Sequence, residues 1–182
     1  MYIEIAIVLL LTLINGLLAM SELAIVSARP ARLKLLADQH VPGAATAIRL
    51  AAEPGRFLSS VQIGITLVGV LSGAFSGATL GSRLAASLAG AGLPVALAQS
   101  LGVGVVVVAI TYLSLIVGEL VPKQIALRAP ERVACRVAPI MRAIATVAAP
   151  LVWLLDRSGR GVLRLLGQGG ATTRTVTDDE VR

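Results

Sequence analysis

Charged residues make up only 14% of this 182-residue sequence and aromatics 3%, and there is one cysteine and one histidine. Against that scarcity stand 56% hydrophobic residues and a mean hydropathy of +0.86. A soluble domain of this length is excluded, because too much of a small domain's surface faces water for so many apolar residues to be hidden. The lone Cys135 excludes an internal disulfide and any cysteine metal cluster, and it reads as a small apolar residue. His40 stands beside Val41-Pro42-Gly43 and reads as a solvated turn residue rather than a ligand. No nucleophile–base pair, metal-hydrolase motif or phosphate loop is present, so the chain is not expected to be an enzyme. The start, Met1-Tyr2-Ile3-Glu4, lacks the basic stretch of a secretory signal, and the first apolar run is expected to remain in the mature protein.

Small residues are plentiful, with 18 glycines and many alanines. That mix suits helices whose backbones approach closely in a bilayer, where lipid takes the place of a core. The net charge of +6 could point to nucleic acid. The basic residues border apolar runs, however, and the positive-inside rule accounts for them, so no nucleic-acid partner is expected.

Residues 5–21 carry no charge, and after Glu22 the run resumes to Ala28, where Arg29-Pro30 ends it. The pattern predicts a helix over 3–28, long enough for a hydrocarbon core of about 30 Å. The mixed apolar and basic stretch from Arg32 to Ala52 predicts a helix hairpin on the membrane surface. Residues 57–82 form a second uncharged run; a turn at Gly90-Ala91-Gly92-Leu93-Pro94 precedes a third span over 95–121. The stretch 137–155 contains Pro139, Arg142 and Pro150, leaving 13 uncharged residues after Arg142, short for a span. Five basic residues (Arg29, Arg32, Lys34, Arg49, Arg56) lie between spans one and two, Arg83 alone between spans two and three, and ten from Lys123 onward. A crossing at 137–155 would put Arg157, Arg160 and Arg164 outside. The expected architecture is therefore all-α and integral to the membrane. It has three transmembrane helices and interfacial juxtamembrane helices, with the N-terminus outside and the C-terminus cytosolic.

Residues 1–167 read as one transmembrane domain and 168–182 as a linker. Thr177-Asp178-Asp179-Glu180 has the spacing of a capping box, which starts a helix, so a cytosolic domain is expected to follow.

Two acids lie within the spans, Glu22 and Glu119. A carboxylate in lipid is costly and marks a functional site unless it merely helps helices pack. Glu22 leaves both readings open. At Glu119, Pro122 lacks an amide hydrogen and its ring meets the carbonyl of Gly118, so the helix is expected to break over Gly118-Glu119-Leu120-Val121-Pro122. A freed carbonyl beside a carboxylate resembles the ion sites of broken transporter helices. Ser21 and Gly64 each lie eight residues, roughly 12 Å, from the inner boundary, and Glu119 lies about 6 Å from Lys123. Ser21, the segment Gln62-Ile63-Gly64-Ile65-Thr66 and Gly118-Glu119 therefore share the inner half. Asn15 and Glu22, seven residues apart, share a helix face. Gly69, Gly73 and Gly77 form a small-residue stripe that reads as close packing, within the chain or across a dimer.

Met20-Ser21-Glu22-Leu23-Ala24, Arg32-Leu33-Lys34-Leu35-Leu36-Ala37, Gln62-Ile63-Gly64-Ile65-Thr66-Leu67 and Gly118-Glu119-Leu120-Val121-Pro122-Lys123 resemble the CorC/CNNM family, whose hemolysin-like members carry this DUF21 transmembrane domain. The resemblance covers essentially the whole chain. It implies a homodimer in the plasma or inner membrane, an inward-facing site for Mg²⁺ (or Co²⁺) as transported cargo, and cytosolic CBS modules, where ATP would bind. By position Ser21 would supply a hydroxyl, Gly118 a carbonyl and Glu119 a carboxylate, with Gly64 and Thr66 from span two. The chain departs from that pattern at Ile65 and Gly69, where members with the best-established site carry asparagines. Two side-chain oxygens are missing, and Mg²⁺ demands near-octahedral oxygen geometry. Thr66, Gln62, backbone carbonyls or waters would have to complete the shell. A branch with the Gln-Ile-Gly motif is linked to polyamine tolerance, which makes an organic dication such as cadaverine or putrescine the rival cargo. A membrane anchor for CBS modules is the third reading.

Overall fold

A computed structural model describes residues 2–165, and among these every regular element is a helix. The expected linker and capping box at 168–182 lie outside the described residues. Helix α1 (Tyr2–Ser27) stops where Arg29-Pro30 was expected to stop it. Helices α2 (Pro30–Asp38) and α3 (Ala44–Ala52) form the surface hairpin. Their turn depends on Gly43, whose φ is +83° and where a Cβ would stand 1.9 Å from the Cys135 carbonyl oxygen. Only glycine tolerates both constraints.

Helix α4 (Pro54–Ser76) runs through a π-helical turn (Gly77–Gly81) into α5 (Ser82–Gly90). The 90–94 turn leads to α6 (Val95–Leu115), which continues through a second π-helical turn (Ile116–Leu120) into α7 (Val121–Arg128). Small residues let α5 and α6 close up: a Cβ on Gly102 would lie 2.5 Å from the Ala85 nitrogen. Arg83 at the head of α5 pairs with Glu4 of α1 at 2.8 Å, tying the far end of the bundle together.

The last element departs from expectation. In place of a short interfacial stretch, α8 (Pro130–Leu165) is one helix of 36 residues that runs through both Pro139 and Pro150. Four helical stretches, rather than the three spans expected, are long and apolar enough to cross a membrane: Tyr2–Ser27, Phe57–Gly90, Val95–Arg128 and Pro130–Val162. The discrepancy has a physical cause. Proline removes one hydrogen bond without ending a helix whose neighbours support it, and one or two charges do not disqualify an otherwise apolar window.

Buried packing concentrates at one end, where α1 finishes and α8 begins. Leu18, Ile25, Leu33, Phe57 and Met141 meet there with small alanines of α3 and α8. The nearly buried Glu131 accepts a 3.4 Å hydrogen bond from the Arg29 amide and lies 3.9 Å from Arg32, pinning the α1–α2 corner to α8. Elsewhere the long helices turn apolar side chains outward, among them Leu10, Leu13, Val70, Val105 and Val108. That is the surface a bilayer covers.

Candidate functional site

The expected helix break at Pro122 is not a break. The chain widens into a π-turn, with the Val121 amide bonded to the Ile116 carbonyl five residues back, and the helix carries on as α7. A π-turn absorbs the misfit of a proline while keeping the helical course. The Gly118 carbonyl accepts a hydrogen bond from Asn15 Nδ2 at 3.1 Å. Gly118 and the start of α7 pack closely on α1. A Cβ on Gly118 would lie 3.2 Å from Asn15 Nδ2, and one on Gly16 would lie 3.0 Å from the Pro122 ring.

Glu119 sits one position round from this contact. Its Oε1 accepts from Lys123 Nζ at 2.7 Å, and the two side chains are 42% and 34% exposed. Both strong oxygen acceptors of the segment, the Gly118 carbonyl and the Glu119 carboxylate, are thus met by N–H donors of the chain itself. Asn15 Oδ1, on the other side of the same amide, is buried without a hydrogen-bond partner among the described residues. Glu22 is half-buried on the Asn15 face of α1 and makes no salt bridge or side-chain hydrogen bond with the described residues.

The other expected site residues lie apart from Gly118 and Glu119. Ser21 is fully buried, but its hydroxyl donates within α1 to the carbonyls of Leu17 and Leu18. It lies nine residues from Thr12, whose carbonyl oxygen stands 3.3 Å from a Cβ placed on Gly118. At about 100° per residue, nine residues put Ser21 half a turn round α1. Gly64 packs on Leu18, which shares the Ser21 side of α1. Thr66 is exposed, because α4 turns Val61, Ser72 and Ser76 inward and carries Gln62 and Thr66 away from α1. The five expected residues therefore do not form one cage. Sequence reasoning missed Asn15 as a contact of Gly118; its place on the Glu22 face was the available signal. Among the described residues no group of three or more His, Cys, Asp and Glu side chains could hold a metal ion.

Residues 5–182 match the cyclin M transmembrane N-terminal domain. The chain belongs to that family. Cyclin M membership, together with the apolar helices, makes it a multi-pass membrane protein. It is similar to UPF0053 protein sll0260 of Synechocystis, at 48% identity over 98% of this chain and 40% of the relative. It is also similar to the polyamine export proteins of Salmonella typhimurium and Escherichia coli, at 33% and 32% identity, again over 98% of this chain and 40% of the relative. The chain thus spans about two fifths of the length of these relatives.

Proposed function

We propose that this cyclin M domain is the membrane part of a dication exporter whose cargo is a polyamine, bound through one ammonium at Gly118 and Glu119. The observation that carries the reading is the donor pattern at those oxygens. An amide N–H meets the Gly118 carbonyl at 3.1 Å and an alkylammonium meets the Glu119 carboxylate at 2.7 Å. A primary ammonium has N–H groups enough to serve both. Mg²⁺ instead needs about six oxygens at roughly 2.0–2.1 Å, and Ser21 and Thr66 lie off the segment. Glu22, on the Asn15 face of α1, offers a second carboxylate for the far ammonium. The names of the 33% and 32% identical relatives, polyamine export proteins, agree with this cargo. One observation favours the metal reading: Asn15 Oδ1 is a buried oxygen with no hydrogen-bond partner among the described residues, beside the Gly118 carbonyl.

The test is calorimetry and proteoliposome transport with the full-length protein, using cadaverine and MgCl₂ separately. Cadaverine heat and flux that fall at least about tenfold in Glu119→Gln support the reading. Mg²⁺ heat with no cadaverine heat overturns it in favour of the metal.

The same proposal places the N-terminus outside and the α2–α3 hairpin in the cytosol of the plasma or inner membrane, supported by the basic residues flanking each span. It lays α8 along the inner ends of the spans, leaving three crossings. In support, a crossing would put Arg157, Arg160 and Arg164 of α8 outside, against the positive-inside rule. A homodimer, with ATP-binding CBS modules beyond this domain, completes the proposal.

A further inference from the structure

We infer that Lys123 is a tethered stand-in for the cargo: its ammonium occupies Glu119 when the site is empty and is displaced when an external ammonium binds. This inference rests on the cargo site proposed above and concerns how that site fills and empties. The geometry is direct. Lys123 Nζ lies 2.7 Å from Glu119 Oε1, one helical turn further along the chain, and this i,i+4 pair is the single salt bridge between described residues in the inner half of the third long helix.

A carboxylate in the bilayer without a counter-charge is costly. Were Glu119 to wait bare for cargo, each transport cycle would pass through that state between release and the next binding. With Lys123 in place the carboxylate exchanges one alkylammonium for another of the same charge and hydrogen-bonding capacity. The released side chain has somewhere to go, because a lysine near a helix end can extend its head to the interface while its stem stays apolar. Return of Lys123 then drives the cargo off. The tether therefore lowers affinity and speeds release, unlike an ordinary surface pair, which contributes little and competes with nothing.

Two measurements on the full-length protein test this. Lys123→Met removes the competitor and is expected to tighten cadaverine binding about tenfold by calorimetry, while Lys123→Arg, which keeps a cation, stays near wild type. Wild-type binding that Lys123→Met leaves unchanged or weakens overturns the inference but not the cargo. Wild-type protein that binds no cadaverine overturns both. The second measurement is acylation of Lys123 by an amine-reactive ester, read by mass spectrometry as a ratio to Lys34. Lys34 is exposed on α2 and is the other lysine of this domain, so the ratio cancels reagent consumed by the diamine. The ratio is expected to rise severalfold with saturating cadaverine and to stand high without cadaverine in Glu119→Gln. A ratio that cadaverine does not move means that Lys123 is not displaced, and the inference fails.

Discussion

Ser21 and Asn15 lie six residues apart on α1 and face different neighbours. Asn15 reaches across to Gly118, while Ser21 spends its hydroxyl on the carbonyls of its own preceding turn. This separates the two cargo readings at a single residue. If an ammonium binds at Gly118 and Glu119, Ser21→Ala removes nothing the cargo touches. The Leu17 and Leu18 carbonyls also belong to the helix ladder, so neither depends on the hydroxyl. Cadaverine affinity is expected to change by less than about twofold, and stability by about 1 kcal/mol or less. A tenfold loss in calorimetry with Ser21→Ala would return the hydroxyl to the site and favour the metal. Counting residues from charged boundaries placed Ser21 further from the inner boundary than Glu119, whereas Thr12 beside Gly118 and Gly16 beside Pro122 put Ser21 roughly 12 Å nearer the inner end than Glu119. Nor could counting give its bearing around the helix, which depends on where the neighbouring helices stand.

At the scale of elements, the boundaries that rest on local chemistry were legible. Arg29-Pro30 ends α1, the basic surface stretch is a hairpin, and the glycines around 90–94 turn the chain. The Pro122 region was legible only as an irregularity. Whether a proline opens a helix or swells it into a π-turn depends on who meets the freed carbonyl, and here that is Asn15, 103 residues away. The course of α8 was hardest, because its length alone permits a crossing while its arginines favour the inner surface. The two courses put its C-terminal third on opposite sides. In a Cys135→Ala background, Ser158→Cys is expected to react with an impermeant maleimide only after the cell is permeabilised, as is His40→Cys. Labelling of Ser158→Cys from outside intact cells, with His40→Cys still protected, would make α8 a fourth span.

Across the whole molecule, the stretch of α4 around Thr66, Gly69 and Gly73 stands open among the described residues. Gln62, Thr66 and Gly69 are exposed, and a Cβ on Gly69 or Gly73 would meet nothing within 4 Å. Gly77 differs, since a Cβ there would touch Val103 and Val107 of α6, so only the upper part of the glycine stripe packs internally. Glycines facing lipid gain nothing from their small size and weaken the helix that carries them. Facing a second helix, they let two backbones approach closely and gain packing along the seam. The open stretch is therefore the expected contact between two copies of the chain, with Thr66 placed to bond across it rather than to hold cargo. Gly73→Leu separates the readings because the lone chain has room for the side chain. The fold is expected to persist, with melting in detergent close to wild type, while dimerisation of the full-length protein weakens by at least about tenfold, equivalent to some 1.4 kcal/mol. Mass photometry over a dilution series would show the dimer giving way to monomer. A dimer that survives both Gly73→Leu and Gly69→Leu undiminished would move the seam to another helix and leave this face of α4 to the lipid.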